Sequence, residues 1–176
     1  MSTVDEVTVL GRAIDQAGDM LEHVHPDLVD RRTPCEGWMV GDLADHLVQA
    51  PRAFLTLMRG ERPDWAARPP HLDDGWAQEF RNAGDDLIHA WHQGIGEGHA
   101  SAAWQCAELA VHTWDLARSL GQPVSGLDPA VAEVGLAFMQ ANLTAENRGG
   151  AFDSEQPSPE GSGPYDRIAA FAGRRP

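Results

Sequence analysis

Residues 40–59 read VGDLADHLVQAPRAFLTLMR, and their apolar positions decide the class of fold. Leu43, Leu47, Ala50, Phe54 and Leu57 recur at steps of three and four, so at 100° per residue they form one stripe along an α-helix. His46 falls on the same stripe, which aims a polar ring at the core. Pro51 interrupts the pattern and predicts a kink, because it carries no backbone N–H and its ring crowds the preceding turn.

The same periodicity extends in both directions. Val4, Val7, Leu10, Ile14, Ala17, Leu21 and Val24 predict a first helix ending near Pro26, with Thr3 and Glu6 spaced as a capping box. Residues 27–38 contain Pro34 and Gly37 and read as a loop. Downstream of a Pro-rich connection over 61–71, Trp76, Phe80, Ala83, Leu87 and Trp91 predict a third helix capped by Asp73 or Asp74. A fourth runs from about Ser101 to Leu120 and stops at Gly121; a fifth starts at Asp128-Pro129 and reaches about Leu143. Residues 147–164 are Gly, Pro and Ser-rich coil, and 166–172 can form a short helix. Strand-like alternation is nearly absent. The expectation is an all-α, up-and-down four-helix bundle over residues 1–146, with an additional C-terminal helix and a coil-rich tail, 147–176, packed on it.

At 176 residues the chain is the size of one domain and can bury a core without disulfides. Its 27 acidic and 13 basic residues give a net charge of −14, which argues against nucleic acid and anionic membrane surfaces as partners. Every basic residue is Arg. Without Lys there is no Schiff base, no P-loop lysine and no lysine general base. Cys35 and Cys106 are too few for a disulfide framework and fit a reducing compartment. The N-terminal MSTVDEVTVLGRAIDQ is acidic where a signal peptide is basic, and no 18-residue apolar run occurs, so a soluble cytoplasmic protein is expected.

A lone core histidine such as His46 is ordinarily one hydrogen-bonded to a carbonyl or carboxylate. A second site raises the functional reading: Glu108 and His112 stand at i and i+4 and can reach one cation. On the helical wheel, however, Cys106, Leu109, Leu116 and Leu120 form the apolar side and Glu108, His112, Asp115 and Ser119 lie opposite, which favours an exposed stripe. Trp104 and Val111 flank that stripe and speak for a cavity. His46 with Glu108 and His112 would give three ligands of the kind catalytic zinc uses. Cys35 reads as a packed loop residue, Cys106 as core, His89 and His92 as surface residues, and Asp85-Asp86 as a solvated face.

Thr33-Pro34-Cys35-Glu36-Gly37-Trp38, followed by Val40, Asp42-Leu43 and His46-Leu47, resembles the opening motif of the N-terminal domain of mycothiol-dependent maleylpyruvate isomerases, within the DinB-like and YfiT-like superfamily. Glu108 with His112-Thr-Trp-Asp-Leu-Ala-Arg118 resembles the second motif, and residues 166–176 resemble the tail of short actinobacterial members. The resemblance implies a four-helix bundle holding a divalent metal, most often zinc, with nickel as the alternative. It makes His46, Glu108 and His112 the metal ligands. It also implies a low-molecular-weight thiol cosubstrate, mycothiol or bacillithiol, whose sulfur meets the metal and attacks a small electrophile, in an isomerase or S-transferase reaction.

Asp115 and Arg118 are candidates for the surrounding shell, one to orient an imidazole and the other to hold an anionic group. Met39 stands where the family often has a Thr or Ser cap, and Asp42 in the first turn can offset the loss. The family's isomerases carry a second, C-terminal domain for which this chain has no room, so substrate contacts from such a domain are not expected. The partners are then a small-molecule thiol and an electrophile, and a homodimer is allowed. The competing expectation is a non-catalytic metal-binding or ligand-sensing bundle.

Overall fold

The computed structural model describes residues 3–65, 67–96, 98–148 and 152–176, with side chains from residue 6 onward. Among these, six α-helices and no strand are present: α1 Thr3–Leu21, α2 Val40–Met58, α3 Trp76–His92, α4 Ala102–Leu120, α5 Pro129–Asn142 and α6 Pro164–Phe171. The all-α bundle with an added C-terminal helix read from the sequence is the observed architecture. α1 and α2 each pack on α3 and α4, α5 packs on α1 and α4, and α6 packs on α4 and α5. α4 is therefore the central helix.

The close crossings rely on two glycines. A methyl at Gly84 on α3 would come within 2.5 Å of Ile14 on α1, and one at Gly135 on α5 within 2.7 Å of the Ala107 Cα on α4. Between these helices Leu10, Leu43, Leu47, Phe54, Trp76, Phe80, Trp114 and Leu116 fill the core. α6 is tied down by a hydrogen bond from Trp114 Nε1 to Asp166 (2.8 Å) and by the Gln16 amide on the Tyr165 hydroxyl.

The helix ends follow their local chemistry with some corrections. α1 stops at Leu21, short of Pro26, and residues 23 and 24 close i→i+3 turns instead. The cap expected of Thr3 rests on a side chain outside those described. Neither Asp73 nor Asp74 caps α3: the residue before it is Gly75, at φ +79°, with Asp74 accepting its N–H at 2.7 Å. Ser101 and Asp128 do cap α4 and α5, accepting from Trp104 N–H and Ala130 N–H. Gly121, at φ +70°, ends α4 in a left-handed turn. Pro51 is accommodated within α2. At the start of α2 the Asp42 carboxylate accepts the Met39 N–H at 3.0 Å, so the missing cap is offset by a hydrogen bond as well as by charge.

No helix among the described residues is long and apolar enough to cross a membrane.

Candidate metal centre

α2 and α4 meet where His46 faces Glu108 and His112. His46 Nε2 lies 2.7 Å from Glu108 Oε1, and His112 Nε2 lies 3.4 Å from the same oxygen. One ligand atom from each residue falls within 4.8 Å of the other two. The set, two imidazoles and a carboxylate, is chemistry that zinc and related divalent ions accept.

The helical wheel places Glu108 and His112 on an exposed face, whereas the structure buries the middle of α4 on all sides. Residues 109–117 are buried without a break, because α5 and α6 cover what a four-helix bundle would leave to solvent. His112 retains 10% side-chain exposure and Glu108 17%. A carboxylate and an imidazole are thus held together with little water to screen them.

The inner shell has support behind it. Asp115, fully buried, accepts from His112 Nδ1 at 3.2 Å. That bond fixes the proton on Nδ1 and leaves Nε2 to face Glu108, the carboxylate–histidine pairing common behind metal ligands. Asp115 is itself gripped by Arg174, whose Nε donates to Oδ1 at 3.1 Å and whose Nη2 donates to Oδ2 at 2.9 Å. Asp115 was within reach of sequence reasoning; Arg174 was not, being 59 residues away with no local pattern to flag it. Arg118 is not brought to the cluster. It is exposed, with its guanidinium 5.5 Å from the centre of the Trp114 ring.

The Thr33–Trp38 segment earns its composition here. Trp38 N–H donates to the Cys35 carbonyl, closing a turn whose third residue, Gly37, sits at φ +80°, a conformation that excludes most side chains. Thr33 braces the turn, its hydroxyl lying 3.0 Å from both the Cys35 and Trp38 carbonyls. The turn delivers Trp38 against both histidines. Its ring stacks on His112 at 5.8 Å and lies 4.7 Å from His46.

Electrostatics follow from this packing. Burial opposes ionisation of Glu108, but His112 and His46 outweigh it and hold the carboxyl well below the usual range. Burial likewise opposes the His112 imidazolium, and the Glu108 and Asp115 carboxylates outweigh it, raising that group to about 9. Asp115 is lowered despite burial by His112 and Arg174. Cys35, half-buried within the field of Arg174, Asp115 and Glu108, is pushed up to about 11, chiefly by burial, and Cys106 in the core to about 12 for the same reason. Both are thiols at neutral pH, so neither offers a thiolate. His89, His92, Asp85 and Asp86 are exposed and stand apart from this cluster.

His46 lines two cavities, of about 420 and 390 Å³, which share Trp65, Arg68 and Pro69 in their walls. Trp65 is anchored there by Phe54 and Trp104, at 5.4 and 5.7 Å between ring centres.

The family described as mycothiol maleylpyruvate isomerase N-terminal domain matches residues 10–117, well over half of the chain. The chain belongs to this family. The matched span contains His46, Glu108, His112 and Asp115, and it ends before α5, α6 and Arg174. Two proteins of Mycobacterium tuberculosis are similar along almost their whole length: uncharacterized protein MT0763 (strain CDC 1551 / Oshkosh) and uncharacterized protein Rv0738 (strain ATCC 25618 / H37Rv). Each is 30% identical over 180 residues, covering 97% of this chain and 98% of the relative. No solved structure matches the chain significantly.

Proposed function

We propose that this protein binds a divalent metal, zinc with nickel as the alternative, through His46, Glu108 and His112, and uses it with mycothiol in an S-transferase or isomerase reaction on a small electrophile in the cytoplasm. The observation that carries the reading is the convergence of the three donors beside a cavity, in a chain of the mycothiol maleylpyruvate isomerase N-terminal domain family. The residues suit the ion. Glu108 is held ionised, and Asp115 keeps His112 Nε2 free of its proton in the neutral ring.

A divalent ion at this site would lower the pKa of a bound thiol, making thiolate available at neutral pH. The protein's own residues do the rest. Trp38 shields one side of the donor set, Arg174 holds Asp115 in place, and His46 marks where the cluster meets the cavity that admits thiol and electrophile. Burial raises both cysteine thiols and Lys is missing, which supports a nucleophile supplied by an external thiol.

Elemental analysis of wild-type protein and His112→Ala tests the metal. The expected result is near-stoichiometric metal in the first and loss in the second, and equal ratios overturn the ligand set. Zinc-loaded protein incubated with mycothiol and a panel of electrophiles tests the reaction. A rise in melting temperature with no product would instead identify a ligand-sensing module.

A further inference from the structure

Asp45 precedes His46 on α2 and is buried, yet it belongs to a different set of contacts. Its Oδ1 accepts the Leu72 N–H at 3.1 Å and the Trp76 Nε1–H at 2.8 Å, and its Oδ2 lies 2.7 Å from His71 Nδ1. The first two bonds lock the end of the 61–72 connection and the start of α3 onto α2, which accounts for a buried carboxylate. They do not account for a histidine at 71. That side chain is 64% exposed, and its ring lines the 420 Å³ cavity together with His46 and Trp38. With Oδ2 as acceptor the proton sits on Nδ1, and among the described residues nothing hydrogen-bonds to Nε2.

We propose that His71, oriented by Asp45, is a proton-transfer residue in this cavity, and that the reaction is net addition of a thiol to an electron-poor alkene. The inference rests on the thiol chemistry of the preceding section. In the addition, the thiol proton passes to His71 Nε2 and the sulfur forms a bond to one alkene carbon. The π pair moves to the other carbon, and His71 returns the proton there. Thiol and alkene become one thioether with no further reactant. Cis–trans isomerisation expels the same sulfur and leaves no new C–H bond, so it needs no proton delivered to carbon. Asp45 first, then Asp73 and Asp42, raise the His71 imidazolium above its ordinary value, which helps Nε2 take up the thiol proton and hold it until the carbon is protonated.

Zinc-loaded full-length protein, mycothiol and dimethyl maleate in D2O read both outcomes at once. The expected product is the mycothiol thioether with one deuterium on the carbon next to the sulfur-bearing one. His71→Asn should lower its rate at least tenfold with an unchanged zinc-to-protein ratio, and should divert the remaining turnover to dimethyl fumarate. Independently of activity, ¹H–¹⁵N spectra of the metal-free protein at pH 9 should show His71 as the Nδ1–H tautomer, and Asp45→Asn should abolish that preference. A wild-type rate in His71→Asn, an Nε2–H tautomer, or zinc- and thiol-loaded wild type that forms fumarate or no product overturns the inference. Wild type that takes up no zinc overturns the reading it rests on, while the tautomer still decides the dyad.

Discussion

Arg174 grips Asp115 at two points, Nε to Oδ1 and Nη2 to Oδ2, and so ties the C-terminal segment to the residue that orients His112. Removing one partner of a buried ion pair leaves the other charge desolvated and unpaired. Arg174→Ala should therefore cost about 3 kcal/mol in urea unfolding, and should weaken metal affinity roughly 10-fold or more through the loosened imidazole. Arg174→Lys, which keeps the charge and loses the fork, should fall between the two in both measurements.

In the proposed site, protons and metal compete for His112. With its folded value near 9 and an ordinary value of 6.5, this histidine contributes stability to the metal-free protein that is fully present below pH 6.5 and is lost as the pH rises through about 9. Glu108 and Asp115 act in the opposite sense. Their lowered values give stability that is present above the ordinary carboxylate range and lost as the pH falls below it. Chemical denaturation of metal-free protein from pH 3 to 10 should trace both limbs. Zinc titration at pH 7, repeated in buffers of different ionisation enthalpy, should show proton release on binding.

The helical character of the chain, and the pairing of Glu108 with His112, are legible in local periodicity because a helix writes its apolar face every three to four residues. The wheel misplaces that pair toward solvent for a physical reason. A wheel drawn for one helix assumes a single buried stripe, and α4 is enclosed by α5 and α6 as well as by α1 and α2. Arg174 and His71 were invisible for a different reason. Each lies outside the helices and meets its carboxylate at long range in the sequence, 59 residues for Arg174 and 26 for His71, where no helical repeat records the contact.

Gly135 tests the enclosure of α4 directly. A methyl there would sit 2.7 Å from the Ala107 Cα and 2.9 Å from Ile168, and the backbone neighbour cannot rotate away. Gly135→Ala should destabilise by roughly 1–3 kcal/mol in denaturant melts, despite the usual gain of Ala over Gly within a helix.

Cys35 should react slowly. With the thiol raised to about 11, iodoacetamide alkylation at pH 7 should be far slower than that of free cysteine, and the rate should climb with pH toward that value. Peptide mapping separates it from Cys106, which is fully buried and should stay unmodified in the folded protein.

Arg62, Trp65, Arg68 and His71 are all exposed where they line the cavities at His46, while His112 and Asp115 are buried on α4. Glu108 and His112 on one side and the cavity wall on the other therefore answer to different constraints, with His46 at their boundary. Arg62 and Arg68 can be rewritten, in the laboratory or by mutation and selection, without repacking α2 or α4, whereas Trp65 packs against Phe54 and Trp104 and His71 is held by Asp45. Under the proposed function, one scaffold can in this way be retargeted to new electrophiles at little cost to its fold.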